Sequence, residues 1–279
     1  MRILVTGASG LVGTELVGCQ TSQHELVGLT RAELDITDAA EVTRVLGEAA
    51  PTAVLHCAAY TDVDGAERDP QQALRVNAAG SRNVAEGARA CGARVVYVST
   101  DYVFDGLSNS PYRVGDPLRP LSSYGKSKLE GERFVSEICP RSHAIVRTGW
   151  LYGAGKGFAD WARKRLRAGQ DLPVVHDQIG CPTYARDLAN ALLRVAVGGH
   201  QGVFHFVNTG AASWLDVGRA VVDELGFGED KLRSVAGTEL QREAPRPSYS
   251  VLDVSRYEET TGGGVRPWRD ALNEYLAAG

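Results

Sequence analysis

The first two-thirds of the chain alternate short, nearly uninterrupted apolar runs with longer stretches of mixed polarity. RILVT (2–6), ELVGLT (25–30), AVLHCA (53–58), RVVYVST (94–100) and HAIVRT (143–148) are the apolar runs. Strands exposed on one face alternate apolar and polar positions, whereas continuous Val/Ile/Leu runs mark strands covered on both faces. Between them lie segments rich in Ala, Glu and Arg, such as DAAEVTRVLGEA (38–49) and GSRNVAEGARACG (80–92), which read as helices. Strand–helix alternation of this kind predicts an α/β fold with a doubly wound parallel sheet. After Trp150 the rhythm breaks. GKGFADWARKRLRAG (155–169) reads as a basic amphipathic helix and ARDLANALLRVAV (185–197) as an apolar-faced one. GVFHFVN (202–208) is a later strand, and WLDVGRAVVDELG (214–226) a further helix. No repeat or low-complexity linker divides the chain.

VTGASGLVGTEL follows the first strand and opens a helix, with glycines at 7, 10 and 13. Glycines so placed let the backbone turn sharply, approach a pyrophosphate and pack the helix onto the sheet. The amides at the helix start then meet the phosphate charge. In a strand–turn–helix unit this is a dinucleotide-binding arrangement. We therefore expect an NADP(H)-binding Rossmann domain over 1–149, with segments returning over about 187–208. Residues 150–279 are expected to form mainly a smaller, interleaved substrate-binding domain. At the end of the second strand, the acidic residue that holds the ribose 2′-hydroxyl of NAD is missing. The chain reads GLTRAELDITD there, with Thr30 and Arg31. A threonine hydroxyl can donate a hydrogen bond and an arginine can pair with a phosphate, which favours NADP(H) and leaves NAD(H) as the second choice. Asp35, on the same loop, is in reach of an adenine amino group.

STDYVFDG ends the fourth strand and sets Ser99, Thr100 and Asp101 at the carboxyl edge of the sheet, where ligands bind in open α/β folds. SYGKSK follows at 123–128. One helical turn puts Tyr124 and Lys128 on a shared face; by itself the pair also fits the polar start of a solvated helix. Strand, loop and helix in this order bring a hydroxyl, a phenol and an ammonium together for carbonyl reduction. Thr100 would hydrogen-bond the carbonyl oxygen and Tyr124 would protonate the developing alkoxide. Lys128 would lower a tyrosine pKa that starts near about 10 and hold the nicotinamide ribose. The hydride would come from the cofactor.

Together with CAAYTDVDGAE, VNAAG, VRTGWLYG, DQIGCPT and RPSYSVLD, these segments resemble the extended short-chain dehydrogenases/reductases from residue 6 to about 253. The resemblance implies Thr100, Tyr124 and Lys128 as the catalytic set. It implies Gly7, Gly10, Leu11, Val12 and Gly13 as the pyrophosphate loop, and Asp35 with Ile36 as the adenine contact. Cys57, Ala58, Ala59, Tyr60 and Asn77 fall to the cofactor's nicotinamide side. Val63, Asp101, Tyr102, Phe104 and Trp150 fall around the sugar, and Arg246 to the diphosphate. The implied substrate is a dTDP-4-ketosugar: first dTDP-4-keto-6-deoxy-L-mannose, reduced at C4, and second a ketosugar of the dihydrostreptose type or of another secondary-metabolite pathway. Related dehydratases place a glutamate after the aspartate that follows the threonine. Here Tyr102 follows Asp101, so dehydration lacks its base. Epimerases retain NAD through each turnover, whereas a reductase exchanges its cofactor, which fits the missing acidic residue. A non-catalytic NADP-binding regulatory subunit has no chemical need for the Thr–Tyr–Lys set. Relatives that dimerise through magnesium use interface glutamates. Glu15 stands at one such position but Arg186 at the second, so we expect no metal and a monomer or metal-independent homodimer.

Composition changes the picture little. A chain of 279 residues suffices for a main domain and a smaller one. With 30 Lys and Arg against 34 Asp and Glu, nothing suggests nucleic acid. No apolar run reaches bilayer length, and MRILVTGASG lacks the core of a signal peptide, so we expect a cytoplasmic protein with no membrane partner. Cysteines 19, 57, 91, 139 and 181 are scattered without a C-x-x-C pair, which argues against zinc or a disulfide framework. Lys156, Arg163 and Lys164 serve either a substrate diphosphate or a solvated helix face. His176 and His205 flank strand-like segments and are expected to be structural.

Overall fold

Six parallel strands form the central sheet of the computed structural model, which describes residues 1–19 and 23–278. They are β1 (Arg2–Thr6), β2 (Glu25–Leu29), β3 (Ala53–His56), β4 (Arg94–Thr100), β5 (His143–Thr148) and a sixth strand, Gly202–His205. Their order across the sheet is sixth, β5, β4, β3, β1, β2. The winding reverses between β1 and β3, and a crevice opens outside the carboxyl ends of the strands at that point.

Successive residues of each strand enter different cores, which is why the strands read as continuous apolar runs. Ile3, Val5, Leu55, Val96 and Val146 pack against Leu188, Leu192 and Val195 of the helix Ala185–Val197. Leu4, Val54, Val95 and Ile145 face the other way, onto Val42, Leu46, Val84 and Val135. β1, β4 and β5 occupy the residues read from the pattern. ELVGLT, AVLHCA and GVFHFVN leave the sheet earlier, at Leu29, His56 and His205, and the residues beyond become the loops that shape the crevice.

Helix α1 spans Leu11–Gly18 and α2 spans Ala39–Ala49, the latter capped by the Asp38 carboxylate on the amides of Ala40 and Glu41 at 3.0 Å. The helix Ser81–Ala90 is preceded by a π-helical turn, Arg75–Gly80, of which the sequence gives no sign. Beyond β5, the helices Phe158–Arg167, Trp214–Glu224 and Trp268–Ala277 enclose a separate core around Tyr152, Leu166, Val174, Val221 and Leu272. Among the described residues, no helix is long and apolar enough to cross a membrane.

Candidate active site

A cavity of about 670 Å³ occupies the crevice. One wall is the loop between β1 and α1. Gly7 has φ +72°, and a Cβ there would lie 2.7 Å from the Ala58 nitrogen. A Cβ on Gly13 would lie 2.2 Å from the Gly7 carbonyl oxygen. Any other residue at either position would clash with backbone. Gly10 starts α1 without a side-chain cap, so the first helical amides remain available to an anion. Gly7, Gly10, Leu11, Val12 and Gly13 all line the cavity, as expected. Behind them the Thr6 hydroxyl lies 2.8 Å from His56 Nδ1 and accepts from the Ala58 amide at 3.2 Å, tying β1 to the β3 loop. Burial and the nearby Lys128 push His56 down to about 3, so this imidazole is a neutral brace.

The expected donor at the end of β2 is otherwise engaged. The Thr30 amide and hydroxyl both donate to Glu33 Oε2 at 2.8 Å, and Thr30 does not line the cavity. A carboxylate therefore stands at this strand end after all, supplied from three residues downstream. Arg31 does reach the cavity; its side chain is 77% exposed and sits 3.8 Å from Asp35. Asp35 lines the cavity with Ile36, and its carboxyl is held below the usual range by the Thr37 amide and hydroxyl. Cys57, Ala58, Ala59 and Tyr60 form the next stretch of wall, and burial pushes the Cys57 thiol up to about 12, leaving it inert.

The opposite wall carries the candidate chemistry. β4 ends at Thr100 and runs into a 3₁₀ turn, Asp101–Val103. Thr100 Oγ1 accepts from the Tyr102 amide at 3.2 Å and donates to Asp101 Oδ1 at 3.0 Å. The helix Ser123–Ile138 starts beside this turn. Ser122 caps it by accepting from the Gly125 amide at 3.1 Å, and the Ser123 amide and hydroxyl donate to Glu67 at 2.7 and 2.9 Å. A Cβ on Gly125 would fall 2.2 Å from the Tyr102 carbonyl oxygen. The glycine after Tyr124 thus lets the helix press against the strand-end turn and brings the phenol beside the Thr100 hydroxyl.

Lys128, 3% exposed, donates to the Val98 carbonyl at 2.7 Å and stands 4.0 Å from the centre of the Tyr97 ring. Burial lowers its ammonium to about 7, with the Glu132 carboxylate opposing. The Tyr124 phenol is not lowered, contrary to expectation. Burial pushes the Tyr124 phenol up; the Thr100 hydroxyl offsets part of this and Asp101 adds to it. One turn below, buried Glu132 accepts from Ser99 at 2.5 Å and from two Arg147 nitrogens at 2.9 and 2.7 Å. This network lies outside the expectations drawn from the sequence, although an arginine in the middle of a doubly buried strand is a signal that an acid must meet it.

Three expected contacts lie elsewhere. Asn77 is fully buried in the π-helical turn: it accepts from the Tyr60 amide at 2.8 Å and donates to the Tyr60 carbonyl at 3.0 Å and the Ser127 hydroxyl at 2.9 Å. It braces the cavity wall rather than lining it. Phe104 is core, stacked on Tyr112 at 4.3 Å with the Arg147 guanidinium 5.4 Å from its centre. Arg246 grips Asp64 through both nitrogens at 2.7 and 2.9 Å and lies outside the cavity lining; it holds the Asp64 carboxyl down at about 2.

Val63, Asp101, Tyr102 and Trp150 do line the cavity. The Trp150 indole lies flat on Trp214 at 3.7 Å. Trp214, unmarked by any motif in the sequence, is placed by the Ser213–Asp216 capping box that starts its helix. Lys156 also reaches the cavity and donates to the Ser9 carbonyl at 3.2 Å, whereas Arg163 is paired with Asp160 at 2.7 Å and Lys164 is exposed. Away from the cavity, Arg186 lies 3.3 Å from Glu15 and 3.9 Å from Glu274. His205 is buried against the Tyr112 carbonyl at 3.1 Å.

A family model described as RmlD substrate binding domain matches residues 1–279. A dTDP-4-dehydrorhamnose reductase from Streptomyces griseus is 42% identical over 284 residues, covering 99% of this chain and 93% of its own. A dTDP-4-keto-6-deoxy-D-glucose reductase from Streptomyces niveus is 38% identical over 277 residues, covering 98% and 96%. Among solved structures, a dTDP-4-dehydrorhamnose reductase from Bacillus anthracis str. Ames in complex with NADP superposes with a TM-score of 0.94 at 33% identity, over 100% of this chain and 99% of that one.

Proposed function

The chain belongs to the RmlD substrate binding domain family, and on that premise we propose that it is an NADPH-dependent reductase of a dTDP-4-ketosugar. The substrate of this reading is dTDP-4-keto-6-deoxy-L-mannose, reduced at C4 to dTDP-L-rhamnose. One observation carries it: Thr100, Tyr124 and Lys128 share a cavity wall opposite a glycine cradle that no Cβ can enter. The cradle, the free amides of α1 and exposed Arg31 fit a phosphorylated dinucleotide. Reduced nicotinamide, when bound, supplies the hydride.

The remaining work falls to this chain. Tyr124 holds its proton at neutral pH, because burial raises the phenol, and gives it to the oxygen that becomes the C4 hydroxyl. Thr100 donates to the same oxygen and fixes the ketone against the wall. Lys128, one helical turn after Tyr124 and anchored on the Val98 carbonyl, is the residue assigned to a ribose hydroxyl. The Trp150–Trp214 stack supplies a flat apolar surface for the sugar or base. Arg31 supports NADP(H) as the preferred cofactor. Glu33, already hydrogen-bonded by Thr30, leaves NAD(H) as a weaker alternative.

We divide the chain into an NADP(H)-binding part over 1–149, with a return over about 187–208, and a mainly substrate-binding part from 150 onward. The protein is assigned to the cytoplasm, as a monomer or a homodimer that needs no metal; the Arg186–Glu15 pair supports the latter point. The Streptomyces niveus relative supports a second reading, reduction of a different dTDP-4-ketosugar at the same wall. Following nicotinamide absorbance with dTDP-4-keto-L-rhamnose and with other dTDP-4-ketosugars, each with NADPH and NADH, separates the two. Fastest turnover of the rhamnose precursor with NADPH is the expected result. Preference for another ketosugar selects the second reading, and no oxidation with any of them rejects both.

A further inference from the structure

Thr100 has one hydroxyl hydrogen, and it is already committed. Its oxygen donates to Asp101 Oδ1 at 3.0 Å and accepts from the Tyr102 amide at 3.2 Å. A hydroxyl offers one donor and two acceptor sites, and a carboxylate only accepts. While Asp101 is ionised, Thr100 therefore has nothing to donate to Tyr124 or to a substrate oxygen. Asp101 is itself 2% exposed and lines the cavity, and its Oδ2 has no hydrogen-bond partner among the described residues. The Gly149 backbone packs directly against the carboxyl group: a Cβ there would lie 2.6 Å from Oδ2. A buried carboxylate met only by neutral hydroxyls, those of Thr100 and Ser250, with no cation beside it among the described residues, lacks what normally stabilises such a charge. A carboxylic acid suits the same place. With its proton on Oδ1 the 3.0 Å bond reverses and fills the second acceptor site of Thr100, and the Thr100 hydrogen is released toward the cavity.

We infer that Asp101 works as a neutral acid, a positioning residue whose proton turns the single Thr100 hydroxyl hydrogen toward the ketone oxygen beside Tyr124. This rests on the reductase reading and deepens it. The titratable groups that face Asp101 are the Tyr124 phenol from the helix Ser123–Ile138, the Tyr102 phenol on its own turn and the Cys181 thiol from the loop after Ile179–Gly180. All three are neutral near neutral pH. Burial pushes the Asp101 carboxyl up to about 6, with the Ser250 and Thr100 hydroxyls pulling the other way. A sugar filling the cavity excludes water and favours the neutral form further. Ionisation of Asp101 would remove the Thr100 donor and raise the Tyr124 phenol as well, so both effects slow proton delivery.

The test is the pH dependence of kcat, with ketosugar and NADPH saturating, for the wild type, Asp101→Asn and Asp101→Leu. A carboxamide can donate to Thr100 as the acid does, and it never ionises. The wild-type rate is expected to fall about tenfold per pH unit above the apparent pKa of Asp101. Asp101→Asn is expected to keep the acid-side rate within about threefold and to lose that fall, and Asp101→Leu to lose about tenfold or more in kcat with a smaller change in KM. Retention of the wild-type profile by Asp101→Asn overturns the inference. So does a wild-type rate that rises through this window while Asp101→Asn is inactive throughout, the mark of a carboxylate that must be charged. Carbon-13 resonance of the Asp101 carboxyl in the wild type with NADPH bound gives a reading that needs no variant. Titration in the ordinary range near about 4 overturns the proposal even if the variants fail to fold. It also keeps the two hypotheses apart, since a wild type that turns over no ketosugar rejects the reductase reading and leaves this titration to be measured.

Discussion

The two walls of the cavity are built on different principles. The glycine wall is made of backbone: its shape comes from positive φ at Gly7, the close approach of Gly13 to Gly7, and uncapped helix amides, and the His56 imidazole braced behind it is neutral. The facing wall is made of buried charge. Asp101, Lys128, Glu132 and Arg147 are all nearly inaccessible to water, and two of them are held well away from their ordinary pKa values. A backbone-built surface is intolerant of added atoms and indifferent to pH. A charge-built one tolerates changes of shape better but depends on protonation and on every partner staying in place. A binding surface for phosphate suits the first, and a site that moves a proton suits the second.

That contrast orders the expected effects of substitution. The largest is on the charged wall. Glu132→Gln leaves Arg147 buried without its counter-charge, and loss of one partner of such a pair costs about 3–5 kcal/mol; chemical denaturation should show this in full. Asp101→Asn acts in the opposite direction. The folded-state pKa of Asp101 lies above the unfolded value, from 3.8 to about 6, so its contribution to stability is present at acid pH and is lost as pH rises through that interval. At neutral pH, with the cavity empty of sugar, the ionised group destabilises the fold by about 3 kcal/mol at 1.36 kcal/mol per unit. Asp101→Asn should therefore raise the melting temperature at neutral pH and leave it nearly unchanged below pH of about 4. Both effects depend on charge and have no counterpart on the glycine wall.

On that wall the effects are steric. Gly7→Ala imposes about 1–3 kcal/mol of backbone strain besides the clash with Ala58, so the NADPH dissociation constant should rise about tenfold or more with no change in pH dependence. The smallest effect belongs to Arg31, an exposed side chain. Arg31→Ala should weaken NADPH by about 1 kcal/mol, roughly fivefold, and leave NADH untouched. Fluorescence titration of both cofactors reads these two outcomes, and equal weakening of NADH by Arg31→Ala would move the 2′-phosphate contact elsewhere.

The same contrast explains what the sequence disclosed. Backbone requirements are local, so the glycines at 7, 10 and 13 and the uninterrupted strands were legible without a structure. Tyr124 and Lys128 were legible because one helical turn fixes their relation. The rest depends on partners that sequence distance conceals. Arg246 looked free, yet Asp64 holds it from 182 positions away. Phe104 looked like a pocket aromatic because nothing in STDYVFDG reveals Tyr112 and Arg147 around it. Asn77 is turned inward by a π-helical turn that has no pattern of its own. Thr30 failed for a smaller reason: Glu33, only three residues on, folds back to take its hydroxyl. Lys128 was placed correctly, but its effect on Tyr124 was not, because the influence of burial on a phenol is invisible in spacing.

If the charged wall performs the proton chemistry while the glycine wall only binds, NADPH affinity and ketosugar turnover must separate when Tyr124→Phe is measured beside the wild type. The dissociation constant is expected to stay within about twofold and the turnover to fall by about 10²–10⁴-fold. Turnover that survives the substitution, with binding intact, would contradict this division between the walls.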